Sequence, residues 1–250
     1  MITSAQNEKV KLAHALQARA RTRRKEGRIA LEGVRLVRDA LQQGLRPDFV
    51  LVSPAAETAF LQDFQAEPTL ISEALMREIS DTDQPQGVLG VFPLPRPTLP
   101  AVTTHLLILD AIRDPGNLGT ILRAAGGAGV DAVLLGPTCV DPYNPKALRA
   151  GMGAHFRLPV IEAAWNAITT ACRGKGVYLA DGAGERDYVT VDWRGPAALI
   201  IGGEADGAGP EARALATERI TIPMSAATES LNAALAAAVI LFEMQRQRRS

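Results

Sequence analysis

LLILDAIRDPGNLGTILR, residues 106–123, passes from a short apolar run through a polar, glycine-bearing turn into a helix. LIIGGEADGAGPE at 199–211 repeats that passage, and RITIPMSAATESLNAALAAAVILFE at 219–243 does so through a polar segment that lacks glycine. Continuous apolar runs without alternation are the mark of strands buried on both faces, as in a parallel sheet covered by helices. LLILD (106–110), DAVLLG (131–136) and AALIIG (197–202) are such runs, and with GVYLAD (176–181) and the alternating RITIP (219–223) they make five strand candidates separated by helical segments. The expected architecture is therefore α/β, with a mostly parallel sheet covered on both faces.

Upstream, Pro93, Pro95, Pro97 and Pro100 crowd FPLPRPTLPAVTT, which can neither continue a helix nor pair well as a central strand. It marks a domain boundary: a small α/β domain over 1–95, a linker over 96–104 and the larger domain over 105–250. In the small domain, helical patterns from about residue 8 and over 31–43 alternate with strand candidates DFVLVS, PTLI and GVLGVF.

Composition excludes several classes. With 250 residues and 47% hydrophobic content the chain can fill two cores. Its apolar runs are shorter than the roughly 18 residues of a membrane span. Residues 1–10 carry Asn7, Glu8 and Lys9 and lack an apolar signal core, so a cytoplasmic location is expected. Cys139 and Cys172 lie far apart and outside any histidine cluster, so no metal site is expected and both thiols read as packing. Net charge is zero, yet Lys9, Lys11, Arg19, Arg21, Arg23, Arg24, Lys25 and Arg28 crowd one stretch opposed only by Glu26. A phosphate backbone is the natural partner of such a run, with Arg21, Arg23, Arg24, Lys25 and Arg28 as candidate RNA contacts; a solvated helix face is the alternative.

The three passages look like one ligand site. In the first, Asp114, Pro115, Gly116 and Asn117 form a tight turn into a helix near Gly119, and Arg123 lies one turn further in on that residue's face. The spacing is not GxGxxG, which sets a dinucleotide-dependent oxidoreductase last among the readings. In the second, Gly202 and Gly203 at a strand end permit close approach of a ligand, and Glu204 follows at once, with Arg123 as its expected partner. In the third, Ser230 is placed to cap a helix on which Leu231, Leu235, Val239 and Phe242 share one face, whereas Asn232 faces a ligand. His14, His105 and His155 are not placed to act as a base.

These motifs resemble the three signature motifs of the SpoU family of RNA ribose 2′-O-methyltransferases, of the SPOUT class. The resemblance extends over nearly the whole chain: LEGVRLVRDAL and SDTDQPQGVLGVF look like the family's L30e-like RNA-binding domain, residues from about Leu106 onward look like its catalytic domain, and DPYNPKALRAG near Asp141 also resembles the family. It implies a deep C-terminal trefoil knot, a homodimer, and an S-adenosylmethionine pocket in which Gly202, Ile222 and Leu231 match cofactor contacts, with Gly203 and Met224 beside them. It further implies that Arg123 contacts RNA and helps activate the hydroxyl, with Asn117, Glu204, Ser230 and Asn232 completing the catalytic set. Ribosomal RNA is the expected substrate, transfer RNA the nearer alternative, and a non-catalytic RNA-binding or assembly factor the reading from another class. One residue departs from the pattern: Gly151 stands where the family often has serine, which removes a hydroxyl from the site's edge.

Overall fold

The computed structural model describes residues 1–64, 67–204, 206–225 and 231–249. In chain order the elements are α1 (Glu8–Ala18), α2 (Ala20–Glu26), β1 (Arg28–Glu32), α3 (Val34–Gln42), β2 (Phe49–Val52), α4 (Ala59–Gln62), β3 (Pro68–Leu70), α5 (Glu73–Ile79) and β4 (Val88–Pro93). Then follow β5 (His105–Leu109), α6 (Pro115–Ala128), β6 (Ala132–Leu135), α7 (Pro145–Gly151), β7 (Val160–Glu162), α8 (Trp165–Ala171) and β8 (Gly176–Ala180). The last are β9 (Arg186–Asp187), β10 (Ala197–Ile201), α9 (Pro210–Leu215), β11 (Glu218–Thr221) and α10 (Ala233–Arg249). They separate into two compact units, Met1–Pro95 with Tyr143–Phe156, and Arg96–Pro142 with Arg157–Ser250.

The first unit is a four-stranded sheet in the order β1-β4-β2-β3, antiparallel except for the β2–β3 pair. Its strands alternate between two cores. Ile29, Leu31, Val50, Val52, Val88 and Phe92 pack with α3 and α4, while Ala30, Leu51, Leu89 and Val91 pack with α1 and α5. Two expectations are corrected here. The helical pattern over 31–43 begins as β1, whose residues pair with β4 from Arg28↔Pro93 to Glu32↔Leu89, and only Val34–Gln42 is helical. The segment Tyr143–Phe156, assigned from sequence to the larger domain, belongs to this unit because Tyr143, Leu148 and Phe156 join the α3-side core. Gly151 is accordingly buried at the end of α7.

The basic run divides by burial. Arg21, Arg24 and Lys25 are exposed on α2. Arg23 is 3% exposed and donates from Nη1 to the carbonyls of Leu16 (2.5 Å) and Gln17 (3.1 Å). Arg28 is held 2.6 Å from Asp48. Arg23 is thus removed from the candidate RNA contacts: a helix leaves its last carbonyls unsatisfied, and this guanidinium caps those of α1. Arg23→Ala should destabilise the protein by about 2–3 kcal/mol in urea unfolding, the scale for hydrogen bonds to a buried charge. Arg21→Ala should leave the unfolding midpoint unchanged.

The second unit carries a seven-stranded sheet, β7-β6-β5-β10-β8-β11-β9, parallel throughout. Alternate residues Leu106, Ile108, Leu134 and Ile200 pack with Ile168, Cys172 and Ala212 of the α8–α9 side. The intervening Leu107, Leu109, Leu135 and Leu199 are also fully buried, so both faces are covered as the unbroken apolar runs require. The helices α6 and α10 pack on each other. On α10, Ala233, Ala234, Ala237, Ile240, Leu241 and Met244 are buried, whereas Leu235, Val239 and Phe242 are 56%, 39% and 47% exposed. No helix among the described residues is long and apolar enough to cross a membrane.

Candidate active site

In a parallel sheet, ligands bind outside the carboxyl ends of the strands where the strand order reverses. Here β5, β6 and β7 run outward on one side, and β8, β10 and β11 fill the other. At the carboxyl ends of β8, β10 and β11 lies a cleft of about 440 Å³. Gly202, Gly203, Ile222, Met224 and Leu231, the five candidate cofactor contacts, all line it, together with Glu204.

The β10 glycines are required by space. A Cβ on Gly202 would lie 2.4 Å from the Ala208 nitrogen and 2.5 Å from the Gly207 carbonyl carbon, and one on Gly203 would lie 2.4 Å from the Ala111 oxygen. Gly203 and Gly207 exchange backbone hydrogen bonds at 3.1 Å each way, which folds the loop back on itself. The loop is tied to β5 by Asp110, a buried carboxylate that accepts the Gly209 N–H at 2.6 Å.

Asp114 caps α6 by accepting the Asn117 N–H at 2.8 Å, with Pro115 at the first helical position. That cap sets Asn117 between the other two passages. Its amide donates to Glu204 Oε1 at 2.7 Å, and its carbonyl accepts from Asn232 Nδ2 at 3.2 Å. The same Asn232 caps α10 by accepting the Ala234 N–H at 2.9 Å. A directed chain, Asn232 to Asn117 to Glu204, therefore joins the three sequence passages.

Three expectations change. Glu204 pairs with Asn117, not Arg123: six residues along α6 turn the arginine about 120° round the helix from Asn117. Arg123 is exposed and makes no hydrogen bond or ion pair among the described residues. Asn232, expected to face a ligand rather than cap, does cap the helix, and Ser230 lies outside the described residues.

Sequence reasoning passed over Asp181 and Arg213, which line the far wall of the cleft. The Asp181 carboxylate accepts the Ala183 N–H at 3.0 Å and pairs with Arg213 Nη1 at 2.8 Å; these bonds, the backbone one foremost, hold its carboxyl below the usual carboxylate range. The signal was present, since GVYLAD ends in an acid as LLILD does. None of the histidines or cysteines lines the cleft. Burial lowers the His105 pKa, and its Nε2 is held 2.9 Å from the Trp193 carbonyl oxygen. His155 is buried beside the Tyr143 ring and His14 is exposed on α1. Burial pushes the Cys139 and Cys172 thiols up to about 11, so both stay protonated at neutral pH.

A parallel α/β domain with its cleft formed by the loops after β8, β10 and β11, and closed by the head of the last helix, defines the class: the chain belongs to the SpoU rRNA methylase family, whose profile matches residues 104–242. An MRM3-like substrate binding domain matches residues 7–90. The chain is 33% identical over 250 residues to the 23S rRNA (guanosine(2553)-2′-O)-methyltransferase RlmP of Bacillus subtilis, covering 98% of each. It is 35% identical to mouse mitochondrial rRNA methyltransferase 3 over 91% of this chain and 69% of that one. The SpoU methyltransferase AviRb from Streptomyces viridochromogenes, solved in complex with AdoMet, superposes with a TM-score of 0.87 at 26% identity, over 98% of this chain and 99% of that one. An AdoMet-bound rRNA methyltransferase from Sinorhizobium meliloti gives the same score at 31% identity, over 98% of this chain and 97% of that one.

Proposed function

We propose that this chain transfers a methyl group from S-adenosylmethionine to a ribose 2′-hydroxyl of ribosomal RNA. The observation that carries this reading is the glycine-walled cleft beside the Asn232–Asn117–Glu204 chain. The residues fit the cofactor: the cleft has the capacity of a small-molecule site, Ile222, Met224 and Leu231 offer apolar surface to a purine, and Gly202 and Gly203 bring backbone groups to its edge. When bound, the cofactor supplies an electrophilic methyl on its sulfonium, open to in-line displacement.

The chain's own residues align the acceptor and help a weakly acidic hydroxyl lose its proton. Arg123 grips the RNA phosphate and stabilises the developing alkoxide. A guanidinium remains protonated in proteins, so it acts through its charge, and the proton passes to phosphate or water. Asn117, locked by hydrogen bonds on both sides, positions the ribose, and Glu204 fixes Asn117 rather than Arg123.

The finer architecture follows the same reading. The last helix is tucked through the preceding loop in a deep trefoil knot, which is supported by Asn232 at the head of α10 reaching Asn117 at the head of α6. The first unit is an L30e-like RNA-binding domain acting from the cytoplasmic pool of RNA, with Arg21, Arg24 and Lys25 as its exposed cations and Arg28 beside them. The enzyme works as a homodimer through the exposed Leu235, Val239 and Phe242 stripe, an apolar face that water would otherwise meet. Leu235→Asp with Phe242→Asp should convert a dimer to a monomer in sedimentation; a double variant that still dimerises would assign the interface elsewhere. Substrate choice is tested by offering purified ribosomal RNA and bulk transfer RNA as methyl acceptors, with transfer expected to the first only.

A further inference from the structure

Outside the cleft, the first unit holds a second cavity, of about 290 Å³, between the start of α3, the turn before β4 and the end of α7. Its lining combines three chemistries. Arg35 is exposed and makes no hydrogen bond or ion pair among the described residues. Arg149 pairs through Nη2 with Asp81 at 2.8 Å, yet its Nη1 is buried without a hydrogen-bond partner among them. Gln84 and Gln86 are exposed and both line it, and Gln86 accepts the Val34 N–H with its side-chain carbonyl at 3.0 Å. Leu36 and Met152 contribute apolar surface.

The frame around the cavity is stiff. The buried Glu32 carboxylate accepts the Ser80 hydroxyl, the Thr82 hydroxyl at 2.7 Å, and the Asp81 N–H and Gln17 amide at 2.9 Å each. Those four donors saturate it, so Glu32 shapes the turn over 80–82 instead of meeting a ligand. Gly153, with φ of +77°, lies against Asp39, where a Cβ would fall 2.5 Å from the carboxylate oxygen. Two guanidinium groups, Arg35 and Arg149, thus line one cavity, and a phosphate offers acceptors to both. Paired amides beside apolar surface suit the edge and face of a base.

We infer that this cavity holds a single unpaired nucleotide of the RNA substrate, its phosphate between Arg35 and Arg149, its base edge on Gln84 and Gln86, and its ring against Leu36 and Met152. The assignment rests on the RNA-methyltransferase reading and adds to it an anchoring site apart from the methyl-transfer cleft. A base still in a duplex cannot enter so small a cavity, so the site selects loops or strand ends.

The test is fluorescence anisotropy of the full chain with a labelled single-stranded RNA oligonucleotide and with the perfect duplex of the same sequence. The double variant Arg35→Ala, Gln84→Ala should bind the single strand at least about tenfold more weakly, with the salt slope smaller by about one and cofactor affinity unchanged. Both side chains are exposed, so the melting temperature should match wild type. Wild-type affinity in the double variant, or a wild-type preference for duplex, overturns the assignment. Wild-type protein that binds the cofactor but neither RNA overturns the underlying RNA reading as well, and that outcome is distinct from the first two.

Discussion

Arg123→Ala should reduce methyl transfer by at least about a thousandfold, the scale set by removing a group that stabilises charge developing in the transition state. Its affinity for S-adenosylmethionine should stay within a few fold of wild type, because Arg123 is not among the residues that line the cleft. The split is diagnostic. Among the described residues Arg123 has no hydrogen bond or ion pair to lose, so a structural role predicts no effect at all, whereas a cofactor role predicts loss of binding. Single-turnover rates alongside calorimetric cofactor titrations separate the three cases. An Arg123→Ala enzyme with a wild-type rate would remove the residue from the mechanism. Arg123→Lys should recover only part of the rate, since an ammonium keeps the charge but loses the planar fork that grips a phosphate in two places.

Gly202→Ala should cost at least about a hundredfold in cofactor affinity. The added Cβ meets backbone on its far side, the Ala208 nitrogen at 2.4 Å and the Gly207 carbonyl carbon at 2.5 Å, so no side-chain rotation relieves it. The loop must move, and that loop carries Glu204 and is tied to β5 through the Asp110–Gly209 bond. Displacing it disturbs the cleft wall and the Asn117–Glu204 hydrogen bond together. Calorimetry with S-adenosylmethionine reads the effect, and unchanged affinity would mean that the β10 loop does not hold the cofactor. Gly195→Ala serves as a control away from the cleft, because a Cβ there meets nothing within 4 Å.

Much of the second unit was legible because its chemistry is linear in sequence. LLILD and AALIIG read as unbroken apolar runs that end in polar, glycine-bearing loops, and RITIP ends in a polar loop without glycine, so their order points to three loops at the carboxyl ends of strands. What a run cannot disclose is a pairing through space. Glu204 could as well have met Arg123 as Asn117, and only the capped first turn of α6 decides between them. A charge run likewise does not say which arginine turns inward; Arg23 does because two carbonyls at the end of α1 need a donor. On α10 the apolar Leu235, Val239 and Phe242 are exposed while Ala233, Ala234 and Ala237 share the buried face with Ile240, Leu241 and Met244, a choice between two apolar faces that hydropathy alone does not make. The placement of Tyr143–Phe156 was hidden for a different reason: chain position assigns it to one unit while its apolar residues pack in the other.

The most direct test of the account is methyl transfer from radiolabelled S-adenosylmethionine to total RNA from cells that lack this protein, followed by nucleoside analysis, with Arg123→Ala as the control. The account predicts label in a 2′-O-methylnucleoside of ribosomal RNA with wild type and none with the variant. Label in a methylated base, or no label in free or ribosome-bound RNA despite measurable cofactor binding, would contradict it.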